Sequence, residues 1–153
     1  MIFNLDYLDA VDGSIVVANK VCCNYTRTEN DSLDHKYRPD LFKIYQQTDA
    51  RILNSLQNWK VEEASFRLYR NSVFYHYEHM LKNTFHKQNK QSHQEKLSYN
   101  NELMNSLEFK KILEERDCFV HPFYLRAYKS GDYRNVLAVE KLVSLKNIFR
   151  RRK

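Results

Sequence analysis

Four of the six histidines, His76, His79, His86 and His93, fall close together in the chain. Imidazoles at such density could hold a divalent metal. However, His76 and His79 are three apart on one helix face. Zinc-binding helices more often use i and i+4, with an acid or cysteine completing the set. The polar run KQNKQS separates His86 from His93. The spacing therefore points to surface or half-buried histidines rather than a metal centre. The chain has no nucleophile elbow, no glycine-rich phosphate loop and no Cys-x-x-Cys pair, so self-contained enzymes of those classes are not expected. Three cysteines, Cys22, Cys23 and Cys118, are an odd number, and adjacent cysteines rarely bridge each other. A reducing, cytoplasmic setting is the simplest expectation.

The C-terminal stretch AVEKLVSLKNIFRRRK carries a second kind of chemistry, that of an anionic surface. Residues 141–153 contain Lys141, Lys146, Arg150, Arg151, Arg152 and Lys153 and no acid, so they account for the whole net charge of +6. Ala138, Leu142, Leu145 and Phe149 share a helix face that Lys141 and Lys146 flank. Such a helix can lie on the inner face of a cell membrane, each near-surface cation adding about 1 kcal/mol. The membrane-facing candidates are Lys141, Leu142, Leu145, Lys146, Phe149, Arg150, Arg151 and Arg152. The competing expectation is a last bundle helix with a basic solvated end, favoured because Val136 and Val143 make the other side apolar too. No nucleic-acid partner is expected, because the charge is concentrated at one end rather than spread over a face.

Positioning these groups falls to helices. With 2 Gly and 2 Pro in 153 residues, the chain has few breakers and should fold mainly as α-helix. Its 42% hydrophobic and 29% charged residues suit a folded chain with a real core. The 11 Tyr and 9 Phe are expected to fill that core. No apolar run approaches the roughly 18 residues needed to span a bilayer.

In chain order, Ile2 to Val11 predicts a short amphipathic helix that Asp12-Gly13 stops. Ser14–Ala18 and Val21–Tyr25 predict a strand pair, followed by a polar loop. Arg38-Pro39-Asp40 opens a helix to about Asn58, with Leu41, Ile44, Tyr45, Ile52, Leu53 and Leu56 inward and Trp59 as a core anchor. The next helix runs from Glu62-Glu63 to Phe85, carrying Phe66, Tyr69, Val73, Tyr77, Met80 and Leu81 inward. Ser92 and Glu95 predict a capping box, and Asn105-Ser106 a break. His121-Pro122 starts a helix that Gly131 ends, and Asp132 caps the last one. The expected division is an α/β remnant over 1–37 and a helical region over 38–153.

The run MIFNLDYL, then IVVANK, then NYTRTENDSLDHKYRPDLFKIY closely resembles the back end of the catalytic domain of bacterial family-2 glycosyltransferases. Tyr25, Arg27, Ser32 and Leu33 match that family's Tyr-x-Tyr, Arg and Ser-Leu loop, and Cys23 stands where the family often has the first Tyr. The resemblance covers about the first 50 residues. It implies a GT-A fold whose nucleotide-binding half, Asp-x-Asp metal motif and acidic catalytic base lie outside this chain. The helix and hairpin would then be a remnant of that α/β domain, and the chain a truncated or split transferase fragment. An intact family member would use Mg or Mn and transfer a sugar, with inversion, from a nucleotide-sugar to a polysaccharide or lipid-linked acceptor. The resemblance makes Tyr25, Arg27, Ser32 and His35 candidates for a lid over the nucleotide diphosphate, where a guanidinium and hydroxyls would neutralise the leaving group. The plainer alternatives are Arg27 pairing with Glu29 or Asp31, and His35 solvated in its loop. No catalytic residue and no cofactor are expected in this chain, and it should be inactive alone. A small helical binding protein, attached through its basic last helix to a membrane or an acidic partner, is the alternative reading.

Overall fold

A computed structural model of the chain describes residues 2–11 and 36–150. The protein is mainly α-helical, as the scarcity of breakers predicts. Among the described residues seven helices occur in the order α1 (Ile2–Ala10), α2 (Leu41–Asn58), α3 (Glu63–Thr84), α4 (His93–Asn105), α5 (Leu107–Glu115), α6 (Pro122–Lys129) and α7 (Tyr133–Arg150). There is no strand among the described residues. The predicted hairpin of Ser14–Ala18 and Val21–Tyr25 lies outside them. Contacts group the chain into two units, Met1–Val61 and Glu62–Lys153.

In the first unit α1 packs on α2. Arg51 of α2 fastens the pair: its guanidinium donates to Asp6 at 2.6 and 3.1 Å and to Asp9 at 2.5 Å. Leu41, Thr48 and Ser55 are the buried positions of α2, seven residues apart and so on one side of the helix. The predicted inward residues Ile44, Tyr45, Ile52, Leu53 and Leu56 are half-buried. Pro39 sits in the turn ahead of α2 rather than inside its first turn. Trp59 departs from expectation: it is 40% exposed. It is the C-cap residue of α2, its N–H bonded to the Ser55 carbonyl. Lys60 then turns the chain away at a left-handed φ of 49°.

The second unit is a bundle in which α3 packs on α4 and α5, α4 on α5 and α7, and α6 on α7. Its centre is aromatic. Phe74, Phe109 and Tyr128 meet edge to face, Tyr128 standing 6.0 Å from Phe74 and 5.8 Å from Phe109 between ring centres. Such contacts add to simple area burial. Of the predicted α3 stripe, Val73, Met80 and Leu81 are buried, while Phe66, Tyr69 and Tyr77 are half-buried. Phe74, which that stripe omitted, is buried completely.

The end of α3 shows how the bundle handles polar backbone inside a core. The last four carbonyls of a helix lack intrahelical partners. Here, all four are met. Leu81 accepts from the Asn100 amide at 2.9 Å and from the Tyr133 hydroxyl at 3.4 Å. Lys82 and Asn83 accept from the amides of Phe85 and His86. Thr84 accepts from the Asn89 side chain at 2.7 Å. Ser92 and Glu95 form the predicted capping box of α4. Ser106 ends α4 and opens α5, its hydroxyl accepting from the Phe109 amide. Gly131 takes φ +68° between α6 and α7, and Asp132 accepts from the Arg134 amide at the start of α7.

Candidate functional site

Two features of the second unit present chemistry to solvent: a pocket beside α3 and the outer face of α7. The pocket exists because the link between α5 and α6 is tied down. The Asn71 side-chain carbonyl accepts from the amides of Asp117 and Cys118 at 2.8 and 3.0 Å, and Arg67 reaches the Asp117 carboxylate. Behind them Arg116 lies over the Phe74 ring. This anchoring holds Phe119, Val120 and His121 opposite α3. Pro122 then starts α6, with His121 as its N-cap.

The resulting cavity is about 250 Å³, lined by Phe74, Tyr75, Glu78 and Lys82 of α3, by Phe119, Val120 and His121, and by Tyr124 and Tyr128 of α6. On α3, Glu78 and Lys82 are one turn apart. The Tyr128 hydroxyl donates to Glu78 at 2.7 Å. Burial, followed by the negative charge of Glu78, pushes the Tyr128 hydroxyl well above its ordinary range. It is therefore a permanent proton donor that fixes the carboxylate.

Tyr124 is shifted upward by burial and by Glu140 and Glu78. Glu140 of α7 sits in the same field. Burial raises its pKa, Lys82 opposes that rise and Glu78 adds to it. Glu78 and Lys82 thus bring one carboxylate and one ammonium to an aromatic recess.

On α7, Tyr133 and Val136 are buried, and Leu137 and Glu140 are half-buried. Ala138, Leu142 and Leu145 fall on the roughly opposite side by helical register. Leu142 is 65% and Leu145 51% exposed, with Val143 at 38%. Lys141 is exposed. The helix is thus apolar on two sides, one inside the bundle and one facing water. The backbone of Lys146, Phe149 and Arg150 continues the helix, their side chains being outside the described set. Arg151 and Arg152 lie outside the described residues, as do the lid candidates Tyr25, Arg27, Ser32 and His35.

Two of the clustered histidines make local contacts. His93 packs edge-on to Phe85, and His86 accepts from the Gln88 amide. Among the described residues there is no group of three or more potential metal ligands. No helix there is long and apolar enough to cross a membrane.

Sequence reasoning did not find the pocket. Glu78 and Tyr128 are 50 positions apart, and only the docking of α6 joins them. The one local signal was Glu78 and Lys82 spaced i, i+4 beside a run of aromatics. Comparisons with protein-family models, curated proteins and solved structures return no match.

Proposed function

We propose that the chain is the C-terminal part of a family-2 glycosyltransferase, a helical module on the acceptor side of a sugar-transfer cleft. The observation that carries this reading is the succession MIFNLDYL, IVVANK and NYTRTENDSLDHKYRPDLFKIY, with Tyr25, Arg27, Ser32 and Leu33 in the order that family uses. In this reading Tyr25, Arg27, Ser32 and His35 close over the diphosphate of a nucleotide-sugar. The metal-binding acids and the base belong to a preceding half. The chain itself holds no Asp-x-Asp motif, so it transfers no sugar on its own. Two measurements test this. Purified chain incubated with labelled nucleotide-sugars and Mg or Mn should give no transfer, and turnover rejects the fragment reading. The gene sequence immediately 5′ of the Met1 codon should encode an open frame ending in an acidic pair. An upstream sequence with no such frame overturns it.

A second reading is favoured by the outer face of α7: a helical binding protein held on an anionic membrane surface. Leu142 and Leu145 stay in water on a folded helix, next to a chain end rich in Lys and Arg. Burying such a face at a lipid interface gains about 25 cal/mol per Å² of apolar area, and the cations are drawn to acidic headgroups. The two readings are compatible, since a lipid-linked acceptor would place a transferase at that surface. Co-sedimentation of the full chain and of residues 1–140 with anionic vesicles decides the matter. Equal binding by the truncated chain rejects a role for α7.

A further inference from the structure

The pocket between α3, the Cys118–His121 link and α6 has no part in the sugar-transfer or membrane readings. We infer that it is a binding site for a small organic cation of the quaternary-ammonium type, seated among Tyr75, Phe119 and Tyr124 and paired with Glu78.

Three observations carry this. First, the walls are largely rings: Phe74, Tyr75, Phe119, Tyr124 and Tyr128 line the cavity. Aromatic faces are negative, and several converging on one space attract a poorly hydrated cation. Phe119 is 83% exposed and Tyr75 53%, so their apolar surface is available to a ligand rather than spent in the core.

Second, the carboxylate is held in place beforehand. The Tyr128 hydroxyl donates to one Glu78 oxygen at 2.7 Å, and Tyr128 itself is locked edge-on against Phe74 and Phe109. A ligand therefore does not have to order its counter-ion on binding. The Asn71 bonds to Asp117 and Cys118 do the same for the opposite wall.

Third, Glu78 is the one carboxylate among the lining residues, with the Lys82 ammonium one turn away on the same helix, so a ligand cation meets a fixed partner and a nearby competitor. The cavity of about 250 Å³ is below the range of drug-sized pockets and suits a headgroup-sized ligand.

The test is a titration of the full chain, followed by the amide NMR shifts of Cys118, Phe119, Val120, His121, Phe123 and Tyr124, with choline and with its uncharged carbon isostere 3,3-dimethylbutan-1-ol. Choline should shift these amides saturably, and the neutral isostere should bind at least about tenfold more weakly. Glu78→Gln keeps an oxygen for the Tyr128 hydroxyl and should weaken choline about tenfold. Lys82→Met removes the competing cation and should tighten it, a gain that a merely structural role for Lys82 would not produce. Helical circular dichroism confirms that each variant is folded. The inference is overturned if the two ligands bind equally, if Glu78→Gln leaves choline affinity unchanged, or if about 100 mM choline moves none of these amides.

Discussion

Gly131 is the residue on which backbone geometry depends most directly. Its φ of +68° belongs to the left-handed region, and a Cβ built there would meet the Asn105 side chain at 2.5 Å. That same Asn105 donates to the Gly131 carbonyl at 2.9 Å. Gly131→Ala should cost about 2 kcal/mol in urea unfolding, from φ strain plus the clash. Adding Asn105→Ala should relieve the clash but also forfeit the Asn105 hydrogen bond to the Gly131 carbonyl. Ser92→Ala, which removes the N-cap acceptor of α4, should cost about 1 kcal/mol.

Acid sensitivity is also set by single residues. Glu95 is held below its ordinary 4.5 by the Ser92 hydroxyl and amide, and Asp132 is lowered by hydrogen bonds from Arg134. Groups with a depressed folded pKa stabilise above the unfolded value and lose that contribution as pH falls through the folded one. Glu140, raised by burial, has the opposite sign: its contribution declines as pH rises from the unfolded value through the folded one. The wild-type chain should therefore lose stability faster than the Glu95→Gln, Asp132→Asn double variant on acidification below about pH 4.5. Urea midpoints across pH measure the difference, and parallel curves would contradict it.

At the scale of elements, α1 leans on a cluster of polar side chains. It has only 9 residues, too few to be stable alone in water. Its polar ties to α2 include Arg51 with Asp6 and Asp9 and the Ser55 hydroxyl donating to Asp9. Arg51→Ala should speed amide exchange through α1 while leaving α4 and α5 unchanged. A uniform change would mean that Arg51 acts on overall stability instead. The outer side of α7 makes the complementary case. Leu142→Glu with Leu145→Glu should leave the melting temperature within a few degrees, because both residues are exposed and exposed substitutions change stability little. The pair should abolish sedimentation with anionic vesicles, and sedimentation should also weaken as salt rises.

Across the whole molecule, local chemistry in the sequence marked most helix ends. Ser92 with Glu95, Ser106, His121-Pro122, Gly131 and Asp132 each stop or start a helix through contacts a few residues long, and such signals survive without tertiary context. The composition likewise settled that the protein is mainly helical, since two glycines and two prolines leave few places for turns. Burial was a different matter. Periodicity showed apolar positions but not which of them meet a partner: Phe74 became the centre of the bundle, Trp59 stayed 40% exposed, and the described part of α7 has two apolar sides, of which that of Tyr133 and Val136 is buried. The pocket was beyond reach for the same reason. Glu78, His121 and Tyr128 belong to different segments. Their meeting rests on Asn71 bonding the backbone of Asp117 and Cys118 and on Tyr128 packing between Phe74 and Phe109. Such long-range pairings are chosen by packing, which depends on all the helices at once.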